Sequence, residues 1–582
     1  MECNLCTGPK LSKLQTEQKE IKMASIYLCA LVLFALVPLN IGFQLPQHRR
    51  QQFDIKTRHF TKKHEQQGSN DPEKTDGFQL HKLSKLQDWC SKASADKTNP
   101  LQNKNLIRDS FFIPDEEAVL KSIIVNASES ASIPQKPVTF ERAGPRKTLY
   151  FDPDEVVAAV VTCGGLAPGI NTVIQELVHC LENQYGVRRI WGVHHGYEGF
   201  YGELERSGEL GWTLLTAKSV DQIHVQGGTV LGSNRGGYDT DKILNSLEIA
   251  GVNMLFVIGG DGTMRGGSVL AKEARKRGLR IAIAGIPKTV DNDIPLIDRS
   301  FGFETAVEEA QKAIAAAAVE ARAFPHGIGL VQLMGRNSGF IALHATLASR
   351  EVDCVLIPEI NFEVPELMAY LERTLREKKH AVVVIAEGAG QEHVVMANKG
   401  AKRDTATKRD ASGNKLFDDV GIWLTEEIKR YFSHEPALKP YPTVKYINPT
   451  YMVRSTKANS ADAIFCTTLA HSAAHAAMAG YTNFMVGPVN GHNTYIPLEL
   501  IFGSINIVSV ADEVRVRNIR SEVKTTRKLN PFVLTLLRLT QIWARAIFTT
   551  GQPDFMPALG WNTHRILGCT TLYGGWTVDR ES

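Results

Sequence analysis

From residue 154 onward the chain alternates two textures. Short aliphatic runs recur, each closed by glycine or proline: EVVAAVVTC (155–163), RRIWGVHHG (188–196), NMLFVIGG (253–260), GLRIAIAGIP (278–287), IGLVQLMG (328–335), DCVLIPE (353–359) and HAVVVIAEGAG (380–390). Runs that are apolar at nearly every position predict parallel strands buried on both faces. Between them lie stretches with helical spacing, such as GINTVIQELVHCLENQYG (169–186) and TAVEEAQKAIAAAAVEARAF (305–324). Strand and helix in alternation predict an α/β chain with doubly wound parallel sheets. Ligands of such sheets bind at the carboxyl ends of the strands, so the strand-end turns are where chemistry is to be sought.

The flanks differ. Residues 44 to about 105 are polar and poor in aromatics, which predicts a leader and disordered extension over 1–105. An arm follows over 106–153, with a short helix expected within 115–124 and a glycosylation triplet at Asn126 that carries little weight. A catalytic domain is expected over 154–500, with a polar surface loop at 398–415. A basic stretch without clear period (501–541) and a C-terminal segment (542–582) complete the division. Residues 24–43 carry no charge and are strongly apolar. With a start at Met23 they read as a signal peptide followed by a basic, acid-poor segment, similar to the two-part leaders of proteins sent to plastids of secondary origin. Import into a plastid or other organelle is the leading expectation. A membrane anchor and a cytoplasmic protein are the alternatives.

Composition narrows the classes. A net charge of +4 over 582 residues argues against nucleic acid or a membrane surface as partners of the catalytic domain. Nine scattered cysteines, with one isolated C-x-x-C at Cys3 and Cys6, point to free thiols rather than a zinc site or a disulfide framework.

Seven segments carry candidate chemistry. In VVTCGGLAPGIN (160–171), Gly164 and Gly165 let main-chain N–H groups approach an anion ahead of a helix. VIGGDGTMRG (257–266) sets Asp261 among Gly259, Gly260 and Gly262, with Thr263 next; phosphate seeks backbone amides and Mg²⁺ a carboxylate oxygen beside them. Arg235 precedes Gly236 and Gly237 in GGTVLGSNRGGYD (227–239), placed to fork onto phosphate oxygens. PKTVDND (287–293) brings Lys288, Thr289, Asp291 and Asp293 together; if extended, the two acids share a face, one to take a proton and one to hold a metal or water. LMGRNSG (333–339) offers Arg336 against charge developing in a transfer, and VIAEGAG (384–390) offers Glu387 to a sugar hydroxyl. In KYINPTYMVRS (445–455), Tyr451 and Arg454 stand three apart, as on one helical face. Taken singly, most of these turns read equally well as structure.

Together, GGDGT, PKTVDNDIP, MGRNSG, AEGAG and YINPTYMVR resemble, in order and spacing, the ATP-dependent 6-phosphofructokinases, nearest their plant and protist branch. The match runs from about residue 141 to 497 and recurs in TTGQPDF (549–555). The resemblance implies two Rossmann-like lobes with the active site between them. It implies transfer of the γ-phosphoryl of ATP to the 1-hydroxyl of fructose 6-phosphate, with Mg²⁺, at the committing step of glycolysis. On that basis Asp291 is the general base and Arg336 acts near the transferring group. Asp261 binds the metal. Gly165, Arg235, Gly236, Gly260, Asp261, Gly262 and Thr263 line the nucleotide site. Thr289, Val290, Asp291, Met334, Gly335, Arg336, Glu387, Tyr451, Met452, Val453 and Arg454 bind the sugar phosphate. Lys445 is where the family has a basic residue that often reaches a neighbouring subunit, in keeping with a homo-oligomer of two or four copies.

Gly262 bears on the donor: pyrophosphate users of the family have aspartate there, in space that ATP needs. Lys288 is common to pyrophosphate users and plant-type ATP users. Leu166 stands where many bacterial relatives have an acid, and FPHGIG (324–329) lacks an arginine that bacterial enzymes use in effector or substrate contacts, so the allosteric behaviour of those enzymes does not carry over. A pyrophosphate-dependent enzyme and a non-catalytic regulatory subunit of the same fold are the alternatives. NAD kinases and lipid kinases share only the GGDGT turn.

Overall fold

The computed structural model describes residues 79–90, 97–103, 111–123, 137–400 (side chains to 398), 416–434, 438–502 and 550. All belong to one compact unit, Lys74–Ser582. The apolar run at 24–43, the triplet at Asn126, most of the 398–415 loop and nearly all of the 501–541 stretch lie outside them.

Each aliphatic run named above forms a strand, and every residue of Val157–Thr162, Met254–Gly259, Ala282–Pro287, Ile328–Leu333 and Ala381–Ala386 is buried. Two sheets result. In the large one, Arg189–Val193, Val157–Thr162, Met254–Gly259, Ala282–Pro287 and Phe484–Val489 lie side by side and parallel. The small one orders Cys354–Leu356, Ala381–Ala386, Ile328–Leu333 and Val444–Ile447, all parallel.

Alternation along Val157–Thr162 sends Ala158 and Val160 into one core and Val157, Ala159 and Val161 into another, on opposite faces of the large sheet. Helices Ile170–His179 and Ser460–Met478 contribute to the first, and Thr240–Ile249 and Asp261–Lys276 to the second. The first core runs on into the small sheet, taking in Leu330, Val331 and Val383. Helix Phe303–Ala323 supplies its middle through Ala310, Ile314 and Ala317, and Gly329 of the strand lies close against Ala317.

Two expectations about the N-terminal region fail. Residues 118–120 are a strand, not a helix: Ala118–Leu120 pairs antiparallel with Val138–Arg142. Part of the segment expected to be disordered is also ordered, since Gln79–His81 pairs in parallel with Val138–Arg142, which in turn pairs with His492–Pro497. Polar composition concealed this because the partners are remote in sequence. Burial of Leu83, Leu86 and Leu101 supplies the apolar contact.

Arg146 fastens this region. Its side chain is 3% exposed; the guanidinium lies 5.6 Å from the Tyr495 ring centroid and 5.8 Å from that of Tyr481, with Asp115 at 2.9 Å and Glu141 at 3.9 Å. Glu141 is itself buried, so losing the guanidinium would leave its carboxylate without that charge, whereas the exposed Asp115 contributes less. Arg146→Met is therefore expected to lower the melting temperature and to speed proteolysis within residues 79–142. Unchanged melting and protease resistance would contradict this role.

Candidate active site

The strand register brings the turns of the large sheet to one level. Met254 pairs with both Ala158 and Ala282, so the strands end together at Thr162, Gly259 and Pro287. The Cys163 amide donates to the Ile258 carbonyl, and the Lys288 amide to that of Gly259. Gly164 and Gly165, Gly260 and Asp261, and Lys288 and Thr289 thus form one ledge. Beside it the small sheet presents Met334–Gly335–Arg336 after Ile328–Leu333, Glu387 after Ala381–Ala386, and the helix Thr450–Ser455 after Val444–Ile447.

On the ledge, Asp261, Gly262 and Thr263 form the first turn of helix Asp261–Lys276, so their free N–H groups and the helix dipole favour an anion. The Tyr197 hydroxyl donates to the Thr263 carbonyl at 2.7 Å, fixing that turn. Gly262 has open space where a Cβ would stand, with nothing within 4 Å. A Cβ on Gly165 would come 3.4 Å from an Arg235 guanidinium nitrogen, which puts Arg235 over the first glycine turn. Gly236, at φ +98°, adopts a conformation that suits glycine.

The segment 287–293 is a turn rather than extended chain, because Asn292 has φ +56°. The turn still keeps its acids close. Thr289 Oγ1 donates to Asp293 Oδ1 at 2.8 Å and accepts from the Asp291 amide at 3.2 Å. Ser300 locks the far side, its amide donating to Asn292 Oδ1 at 2.8 Å.

Burial and the proximity of Asp293 and Glu387 push the Asp291 carboxyl up to about 8, against the pull of Arg336. Burial, then Asp293, raises Asp261 to about 7. Burial raises Glu387, while Arg336, Arg454 and Arg235 hold it down. Lys288 is 6% exposed; its ammonium donates to the Gly165 carbonyl, and burial brings its pKa down to about 8. Four acids and four cationic side chains therefore share one cleft. Asp261 Oδ1 and Asp291 Oδ1 are buried without a hydrogen-bond partner. A divalent cation at Asp261 fits that orphaned oxygen, since it would compensate a carboxylate whose charge burial disfavours.

Other candidates sit differently. The side chains of Val290 and Val453 are 4% and 1% exposed in the core, leaving only their main chains to meet a ligand. Tyr451 and Met452, 73% and 68% exposed, stand on the rim. The Arg454 guanidinium lies 4.9 Å from the Tyr451 ring centroid, as a shared helical face requires. Lys445 faces elsewhere, 3.6 Å from Glu320 and 3.9 Å from the Phe324 ring centroid. Sequence reasoning overlooked Phe417, whose ring lies 5.3 Å from the Arg336 guanidinium, and Tyr197; nothing in their local sequence marks either. The five cysteines among the described residues are free thiols, four of them buried.

A parallel-sheet ledge with an anion-binding helix start, an orphaned acid and converging arginines defines a phosphoryl-transfer enzyme in outline. The comparisons make that specific. Residues 157–477 match the phosphofructokinase family model. ATP-dependent 6-phosphofructokinase 1 of Arabidopsis thaliana is 46% identical over 463 residues, covering 79% of this chain and 88% of the relative. ATP-dependent 6-phosphofructokinase 4, chloroplastic, from the same plant is 43% identical and covers 84% of each chain. The ATP-dependent enzyme of Trypanosoma cruzi is 42% identical, over 62% of this chain and 71% of its own. Phosphofructokinase from Saccharomyces cerevisiae superposes with a TM-score of 0.51 at 20% identity, over 68% of this chain and 50% of that one. The Pichia pastoris enzyme does so at 0.52 and 18%, over 74% and 42%. At such identities the two structures bear on fold alone. The chain belongs to the phosphofructokinase family.

The raised Asp291 carboxyl has a measurable consequence. Between about pH 4 and 8 the folded protein keeps a proton that the unfolded chain has released, so stability falls as pH rises through that window. Asn carries no such charge. The melting temperature of Asp291→Asn minus that of the wild type, measured without ligands, should grow from pH 5 to pH 8. A difference that stays flat or shrinks would contradict the assigned environment.

Proposed function

We propose that this chain is an ATP-dependent 6-phosphofructokinase, transferring the γ-phosphoryl of ATP to the 1-hydroxyl of fructose 6-phosphate. One observation carries the reading. The strand-end turns hold Asp291, a carboxyl raised toward neutrality, between the Arg336 loop and the anion-binding turn at Asp261. The names of its relatives agree with it.

In this reading Asp291 takes the proton of the 1-hydroxyl as that oxygen bonds to the γ-phosphorus. The bond from γ-phosphorus to the bridging oxygen breaks, and the electron pair leaves with ADP. A base with a pKa near the working pH suits this task. Arg336 offsets charge on the transferring group, while Arg454 and Glu387 orient the sugar phosphate. Thr289, Met334 and Gly335 line its path, Tyr451 and Met452 close the rim, and Val290 and Val453 contribute main chain. Gly165, Arg235, Gly236, Gly260, Gly262 and Thr263 cradle the nucleotide. Asp261 would hold Mg²⁺, which when bound neutralises phosphate charge. Positioning and neutralisation dominate phosphoryl transfer, and these residue types supply both.

Residues 154–500 form the catalytic domain in this reading. A homo-oligomer reached through the small-sheet edge near Lys445 belongs to the same proposal. The apolar run at 24–43, followed by basic sequence, supports import into a plastid or other organelle, and two relatives carry "chloroplastic" in their names.

Two donors distinguish the readings. Purified protein supplied with fructose 6-phosphate and Mg²⁺ should form fructose 1,6-bisphosphate with ATP and not with pyrophosphate. Activity with pyrophosphate alone would overturn the donor, and inactivity with both would favour a regulatory subunit. The open space at Gly262 adds a second outcome. Gly262→Asp should fold normally yet lose about a hundredfold in kcat/KM for ATP, since an unpaired acid would face phosphate. Retained ATP use would contradict Gly262 as a determinant.

A further inference from the structure

The loop that carries Arg336 touches the base at a second point. Ser338, two residues on, is 5% exposed, and its hydroxyl donates to the Asp291 main-chain carbonyl at 3.0 Å. The Arg336 main chain and guanidinium also favour the ionised form of the Asp291 carboxyl. The small-sheet loop thus holds Asp291 by its side chain and by its backbone.

The loop itself has little freedom. Gly335, at φ +132°, brings the chain round so tightly that a Cβ there would meet the Ser338 carbonyl oxygen at 2.4 Å. The Gly388 amide donates to the Gly335 carbonyl at 3.0 Å, and a Cβ on Gly388 would lie 2.0 Å from the Arg336 carbonyl oxygen. Behind the loop, the Gly339 amide donates to Glu359 Oε1 at 2.8 Å, where helix Phe340–Ser349 begins. A loop packed this closely can transmit position to what it touches. On the other side, the Asp291 turn is tied by Thr289, Asp293 and Ser300. The Ser338 hydroxyl is a side-chain link between these two turns, one from each sheet.

We propose that Ser338 is a positioning residue for the transfer reaction, setting the register of the Asp291 turn against the Arg336 loop. The inference rests on Asp291 being the base. Ser338 touches no reacting atom. It acts by holding the carboxylate of Asp291 where the 1-hydroxyl of the sugar and the Arg336 guanidinium meet. Small displacements of a catalytic group cost rate steeply while leaving binding largely intact. Without the link, the influence of Arg336 on the Asp291 carboxyl weakens as well.

The test is a steady-state double-mutant cycle on the full chain, with ATP and fructose 6-phosphate. Ser338→Ala should lower kcat about tenfold with both KM values within about twofold, a split that marks loss of transition-state positioning. The acid limb of its kcat/KM profile should move to higher pH, because the pull of Arg336 toward the ionised carboxylate is weakened. Ser338→Thr, which keeps the hydroxyl, should recover most of the rate. In an Asp291→Asn background Ser338→Ala should have no further effect on kcat, since groups acting through one another are not additive. An unchanged kcat for Ser338→Ala, a loss that Thr does not rescue, or a full additional loss in the Asn background would each overturn the inference. Wild-type rates in Asp291→Asn alone would instead overturn the base assignment on which it rests.

Discussion

The site depends on one electrostatic constraint: four carboxyls, Asp261, Asp291, Asp293 and Glu387, share a cleft from which water is largely withdrawn. Parallel strands ending at one level impose this, because each strand-end turn can only project forward. Burial raises every one of these acids, and repulsion from neighbouring carboxyls adds to it at Asp261 and Asp291. Lys288, Arg235, Arg336 and Arg454 oppose that repulsion from the rim and floor. So many carboxyls in one cleft favour ligands that bring a cation. Stability is given up where function needs reactive groups, a trade common at catalytic sites.

Much of the scaffold was legible in the sequence because parallel strands declare themselves. IAIAG and AVVVIA admit no polar face, so their burial on both sides and the turns that close them could be read directly. Asp261 was chemically plausible from its glycines alone. Arg235 was not, and Asp291 made a modest claim that its company with GGDGT and MGRNSG sharpened into a role.

What stayed hidden depends on contacts between distant residues. The strand Val138–Arg142 looks unremarkable until His492–Pro497 lies beside it. Alternation misled at Asp291 and Asp293: the acids come together through the left-handed turn at Asn292, not through an extended face. Val290 and Val453 sit inside motifs that bind substrate in the family, yet their side chains belong to the core. Ser338 was in plain view within MGRNSG, but its partner is a main-chain carbonyl 47 residues earlier, which no local pattern announces.

The account turns on Asp291 as the group that takes the proton. Steady-state kinetics of Asp291→Asn, with ATP and fructose 6-phosphate varied in turn, address that claim directly. The account predicts a fall in kcat of about a hundredfold or more, the scale of a lost general base, with both KM values changed by no more than a few-fold. A kcat near that of the wild type, or a loss confined to KM, would contradict it.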